Sequence, residues 1–345
     1  LSVAWDPYGL QLATGSNDYL ACIFEVATGI EKKRWKLTRA VGSVSWNPGG
    51  TCLAVGCYDR VARVFEVESG AELVSWQHSD SVATLAWNHL GTLLATGSGD
   101  SLVRVFHVNS LLRSPIASWK HEEWVWSVAW HPTDTMVASG SVDKSLRVFD
   151  LQKNKELARA VHRRGINSVT WDSTGARLAT GTCEGMVCVF ELLNGEELVQ
   201  LAQFEHPELV GSVAWCPVQS WVAIGAADGI LRICDWTTGI DIARWELDAA
   251  VNHVTWDKQG VRLATGSDDG VARIFDVATH LRVVNWPRCR ALWQAYKGDH
   301  YFWSKVAPEV LRKICSFLVL QGQVGVVPAA NSTNCTSFME NGLDM

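Results

Sequence analysis

The side chains best suited to chemistry in this sequence come in sets of three at a constant spacing. His78, Thr96 and Asp100 form one set, His121, Ser139 and Asp143 a second, and His162, Thr180 and Glu184 a third. His206 and Asp228 repeat the outer positions of the pattern. A hydroxyl, an imidazole and a carboxylate are the ingredients of nucleophilic catalysis, in which the acid orients the imidazole and the imidazole takes the hydroxyl proton. The same groups also make a buried network that ties a loop to a turn, where an unpaired polar group costs about 1–3 kcal/mol. Near-copies at several places in one chain argue for the structural role and against a single active site.

The elements that hold these residues repeat as well. The stretch 251–286 contains four short runs rich in Val, Ile, Leu, Thr and aromatics, separated by turn signals that include Asp268-Asp269-Gly270. Such runs around an Asp-Gly turn predict an antiparallel four-stranded meander. A Trp closes the first run at Trp5, Trp46, Trp87, Trp130, Trp171, Trp215 and Trp256, a period of about 41 to 44 residues that points to propeller blades. Further along each repeat stand a Gly (Gly15 to Gly266), an acid (Asp18 to Asp269) and Phe24, Phe65, Phe106, Phe149, Phe190, Cys234 or Phe275. The expected fold class is therefore all-β: a seven-bladed β-propeller of four-stranded antiparallel blades over residues 1–286, with a short C-terminal helical extension at 287–320. Residues 321–345 read as a disordered tail.

Within the blades the strands are almost continuously apolar, as expected for sheets covered on both faces. The small residues of the second strands suggest close approach between neighbours. Outer strands end on Trp35, Trp76, Trp119, Phe204, Trp245 and Trp286. Ala160 stands in that place in blade four, which makes its outer edge the expected weak one. Arg63, Arg104, Arg147, Arg232 and Arg273 recur on the third strands and read as solvated, with packed stems. Residues 1–5 should form the inner strand of blade one, so the ring closes without strand exchange between the termini.

Composition narrows the function. The net charge of −6 argues against general nucleic-acid binding. Ten Cys include no CxxC pair and no regular pairing with His, so zinc is not expected, and they read as small buried residues of a reducing compartment. No apolar run approaches the roughly 18 residues of a spanning helix. The chain starts at Leu1, already inside a strand, and is expected to be a fragment or to have lost upstream residues. Arg163-Arg164 and the stretch 31–39, EKKRWKLTR, read as solvated loop and strand end. The Gly-rich turns do not lie between a strand and a helix, so they are not phosphate loops. The acceptor motifs at Asn331 and Asn334 read as incidental.

Over residues 1–286 the sequence resembles the WD-repeat β-propeller family. The resemblance rests on the LATGS-x-D pattern of the second strand and its turn, the VRVF-D/E third strand and the period. The family's Trp-Asp ending appears here as Phe24-Glu25, Phe65-Glu66, Phe149-Asp150, Phe190-Glu191 and Phe275-Asp276, with Phe106-His107 and Cys234-Asp235 in the other two repeats. Its Gly-His signature survives as His78, His121, His162 and His206; Leu37 and Leu247 replace the His elsewhere. The resemblance implies a structural role for the His, hydroxyl and acid. It also implies a third-strand Trp as fourth member, absent here, so each network should end at those three. Residues 307–318 predict an amphipathic helix with Val310, Leu311, Ile314, Phe317 and Leu318 on one stripe. That helix either docks on the propeller or, since it resembles the first helix of an F-box or a SOCS box, recruits a ubiquitin-ligase adaptor.

The expected function is a non-catalytic scaffold for protein or peptide partners, acting as a monomer within a larger complex, cytoplasmic or nuclear, without cofactor, metal, nucleic acid or membrane. The alternatives are a ubiquitin-ligase substrate receptor and, from another class, a propeller enzyme. The expected binding face carries the turns between second and third strands and the linkers entering each first strand. Trp124 is its expected anchor, because Ala40, Ser81, Gly165, Leu209 and Ala250 occupy the same place in other blades. Glu123, Trp126, Tyr58, Asp268, Asn167 and Asn252 are its expected neighbours.

Overall fold

The computed structural model describes residues 2–110 and 113–277. Among the described residues the chain is all-β, with seven antiparallel blades in a propeller arrangement. Six blades are described with four strands each, and the seventh with the three strands Val251–Trp256, Arg262–Ser267 and Ala272–Asp276. Its expected fourth strand ending at Trp286, the expected helices within 287–320, including the adaptor-recruiting stretch 307–318, and the tail at 321–345 lie outside the described residues. A compact unit spans Leu1–Arg282.

Ser2–Trp5 pairs with Gln11–Gly15 inside blade one, so it is an inner strand and not the outer strand of blade seven. The first strands of neighbouring blades contact one another around the ring, with Ser2–Trp5 touching both Val41–Trp46 and Val251–Trp256. Serine stitches join them. The hydroxyls of Ser2, Ser43, Ser127, Ser168 and Ser212 each accept a hydrogen bond at 2.9 to 3.2 Å from a backbone N–H of the following blade.

The repeated Gly and Trp both serve contact between blades. A Cβ on Gly15, Gly140, Gly181 or Gly225 would lie 2.5 Å from the β-branched residue that opens the next blade's first strand: Val41, Ile166, Val210 or Val251. Only glycine lets the blades approach this closely. The buried indoles of Trp5, Trp87, Trp130 and Trp256 donate to backbone carbonyls of the preceding blade, Trp5 closing the ring on Thr255 at 3.3 Å. At the periphery four outer-strand Trp side chains pack on the next blade's third-strand Phe: Trp35 on Phe65, Trp76 on Phe106, Trp119 on Phe149 and Trp245 on Phe275, with centroids 4.7 to 5.2 Å apart. Ala160 packs in the cluster that contains Phe190 and offers no ring there.

Candidate functional site

The second-to-third-strand turns share one design. The residue after the turn acid adopts a left-handed conformation in every blade: Tyr19, Arg60, Ser101, Lys144, Gly185, Gly229 and Gly270, with φ between 66° and 85°. In six blades a carboxylate oxygen of the acid accepts the backbone N–H two residues on, which clamps the turn: Asp18 to Leu20, Asp59 to Val61, Asp100 to Leu102, Asp143 to Ser145, Asp228 to Ile230 and Asp269 to Val271. Glu184 makes no such bond; its turn is tied by Thr182 Oγ1, which accepts from Met186 N. One extra methylene carries the Glu carboxylate past the amide that an Asp reaches.

The three expected sets differ once side chains are placed. His121 is complete: Nδ1 meets Asp143 Oδ2 at 2.9 Å and Nε2 meets Ser139 Oγ at 2.7 Å. That is the connectivity of a hydrolase triad, but His121 and Ser139 are both 0 % exposed, so no substrate carbonyl can reach the hydroxyl. His78 bonds Thr96 at 3.0 Å, but its other nitrogen donates to Trp76 O at 3.2 Å and not to Asp100, which instead accepts from Ser79 N. His162 bonds Thr180 at 2.9 Å; its Nδ1 is buried without a partner, and Glu184 does not reach it. In blade six Ile224 replaces the hydroxyl, and His206 Nε2 is buried without a partner. Among the described residues, the expected continuous His–acid link therefore exists only in blade four.

The recurrent arginines also differ from expectation. Four of them are largely buried, and Arg273 is partly exposed. Each guanidinium folds back to pair with the turn acid four residues earlier: Arg63 with Asp59, Arg104 with Asp100, Arg147 with Asp143 and Arg232 with Asp228 at 2.8 to 3.1 Å, and Arg273 with Asp269. The network expected to end at three members thus has a fourth. It is an Arg on the third strand, and in blade six it donates to His206 Nδ1 at 2.8 Å. The sequence signal was present, because Cys22 and Cys188 stand in the Arg position in two blades while five blades keep Arg.

These surroundings set the titrations. Burial, reinforced by the Arg104 charge, holds the His78 imidazole down at about 4, and burial does the same to His162. Burial also lowers His121 against the pull of Asp143. Burial alone would raise the Asp143 carboxyl, but bonds from the Ser145 hydroxyl and the Glu122 and Ser145 amides outweigh it and hold it well below the carboxylate range.

The expected binding residues fall into four places on the face of these turns. Glu123, Trp124 and Trp126 form one group; both indoles are half-buried, with ring centroids 5.8 Å apart. Trp124 lies over Gly99 in the preceding blade, where an added Cβ would be 3.0 Å from its ring and 3.1 Å from Asp80 Cγ. Tyr58 forms a second place, leaning across Gly42 and lining a cavity with Thr38, Arg39, Arg60, Asp80 and Ser81. The sequence singled out Thr38 and Arg39 only as part of a solvated basic stretch and Ser81 only as a small counterpart of Trp124; Arg60 and Asp80 it did not single out. Asp268 and Asn252 are joined by a hydrogen bond in blade seven, and Asn167 in blade five donates to Val210 O at 2.9 Å. Asp80 and Gly99 bridge the first two places; nothing in the described contacts joins the Asp268–Asn252 pair or Asn167 to them. Among the described residues no group of His, Cys, Asp or Glu could hold a metal ion, and no helix is long and apolar enough to cross a membrane.

Comparison with known proteins adds two family matches. A model described as WD domain, G-beta repeat matches residues 71–107, 113–150, 155–191, 198–235 and 245–276. A model described as the anaphase-promoting complex subunit 4 WD40 domain matches residues 22–88. No curated protein matches the chain.

Proposed function

This chain belongs to the WD-repeat β-propeller family, and we propose that it is a non-catalytic scaffold that receives a protein or peptide partner on the face carrying Trp124. The observation that carries the reading is the Trp124–Trp126 pair. Two large aromatics stand half-exposed on this face, and the position of Trp124 in other blades holds Ala, Ser, Gly or Leu. Aromatic side chains supply much contact area at low entropic cost and dominate interface energetics. Fold alone does not assign function; here the site itself supports binding. The sealing of Ser139 supports a structural role for the set that most resembles a triad. The match of residues 22–88 to a domain of anaphase-promoting complex subunit 4 supports membership of a larger assembly.

The test is a pull-down of partners on wild-type and Trp124→Ala protein. Loss of about 2 kcal/mol of affinity, roughly thirtyfold, is expected, with circular dichroism and melting unchanged. Equal recovery of partners by both proteins, or a large fall in melting temperature, would overturn the anchor role.

A further inference from the structure

The cavity beside Tyr58, about 430 Å³ in volume, carries an uneven charge balance. Asp59 is already engaged: Arg63 pairs with it at 2.9 Å and Thr38 donates to it at 2.7 Å. Asp80 accepts the backbone N–H of Ser81. Arg39 and Arg60 are exposed, and among the described residues neither guanidinium has a hydrogen bond or an ion pair. The five third-strand arginines are all paired; Arg39 and Arg60 are not, and both line one cavity.

A guanidinium carries five donors in a planar fork and stays charged at all working pH values. Two of them outweigh the carboxylate of Asp80, which has a backbone N–H but, among the described residues, no cation as partner. Charge complementarity selects an anionic group, and the oxygens of a carboxylate or a phosphoryl group match the fork. A polyanion fits poorly, because Glu122, Glu123, Glu208, Asp248 and Asp268 stand exposed on the same face. Asp80 lines the cavity and also touches the site of Gly99, over which Trp124 lies, so the basic cavity and the aromatic pair are neighbours.

We infer that the partner segment received on this face carries an acidic side chain, a carboxylate or a phosphorylated residue, which enters the cavity between Arg39 and Arg60. The inference rests on the scaffold reading and specifies the chemistry of its ligand. Specificity comes from the charge pair, and bulk affinity comes from apolar contact with Trp124.

Fluorescence anisotropy on the full chain tests it with labelled short Gly/Ser peptides. Each peptide bears one Phe and, at a varied separation, one Glu, phosphoserine, Lys or Ser. At the best separation the Glu or phosphoserine peptide should bind about tenfold or more tightly than the Ser peptide, the effect of one charge-assisted bond. The Lys peptide should bind more weakly than the Ser peptide. The tighter of the two acidic peptides identifies the source of the anion. In the double variant Arg39→Gln/Arg60→Gln, with unchanged melting, the acidic advantage should vanish while the Ser peptide is unaffected. A Lys peptide that binds as well as the acidic ones, or an acidic advantage that survives the double variant, would overturn the inference. If no acidic peptide is preferred but Trp124→Ala still weakens the partner pull-down, the inference falls and the scaffold reading stands. If the Arg-dependent preference holds while Trp124→Ala changes no pull-down, the basic cavity stands and the Trp124 anchor falls.

Discussion

In blade four the imidazole of His121 is held at both nitrogens, whereas in blade five that of His162 is held at one. Around His121 the acid is an Asp that clamps its turn, Arg147 reaches the acid and Lys120 O, and Trp119 stacks on Phe149 at 4.7 Å. Around His162 the acid is Glu184, Cys188 replaces the Arg, and Ala160 replaces the Trp. The His and its hydroxyl partner are present in both. Two blades of one fold therefore stand at opposite ends of the same design. The fold does not require the network; each blade's own side chains decide how much of it is assembled. Where acid, Arg and His meet, the charges are buried and mutually dependent. In blade five, where the Arg is missing and the acid is a Glu, the turn is tied by Thr182 and the acid is left out.

The largest contrast should come from removing the acids. Asp143→Ala removes the nearest carboxylate of Arg147, whose side chain is 7 % exposed, leaving it Glu156 at 3.6 Å and Lys120 O, and leaves His121 Nδ1 only Ser145 Oγ at 3.2 Å. Breaking a buried pair costs up to about 3–5 kcal/mol, and the remaining partners of Arg147 reduce it to about 2–3 kcal/mol. Glu184→Ala should cost within about 0.5 kcal/mol, as for a surface change away from such features. Urea denaturation of both variants checks this, and equal losses would break the comparison.

A smaller effect per pH unit should appear on acidification. The native imidazoles of His78 and His162 titrate at about 4, against about 6.5 in the unfolded chain. Between these values the unfolded state binds more protons, so stability is full above about pH 6.5 and falls as pH drops towards 4. The loss is bounded at about 3.5 kcal/mol for each group, at roughly 1.4 kcal/mol per pH unit across this window. His162→Asn should flatten the slope in this window, and a stability curve unchanged by that substitution would show that His162 is not held neutral.

The smallest effect concerns blade six, which lies between the two extremes. His206 Nδ1 accepts from Arg232, so Nε2 carries the proton and has no acceptor beside Ile224. Ile224→Thr supplies the hydroxyl found at Thr96, Ser139 and Thr180. It should raise stability by about 1 kcal/mol, the net contribution of one hydrogen bond, less the cost of replacing a well-packed apolar side chain by a smaller one. Calorimetry checks the sign, and a lower melting temperature would show that packing of Ile224 outweighs the bond.

What the sequence by itself determined is the repeat. The registers of Trp, Gly, acid and Phe set the number of blades, the strand order and the turns, because strand period and turn chemistry are local properties written into each segment. It also placed His78, His121 and His162 beside their hydroxyls, since that pair sits at a constant separation of residues. It did not show which acids reach their His. That depends on ångström-scale side-chain reach: in blade four Asp143 turns one oxygen to Nδ1, while in the blade of Asp100 the ring of His78 is drawn to Trp76 O. Nor did it show that the recurrent arginines close back on the turns, because a strand pattern gives the face of a side chain and not where its end group comes to rest. Arg39, Tyr58 and Arg60 come together within one blade, where Tyr58 N bonds Ala40 O across the linker and the turn. Only the packing of the next blade beside them adds Asp80 and Ser81 and completes the cavity.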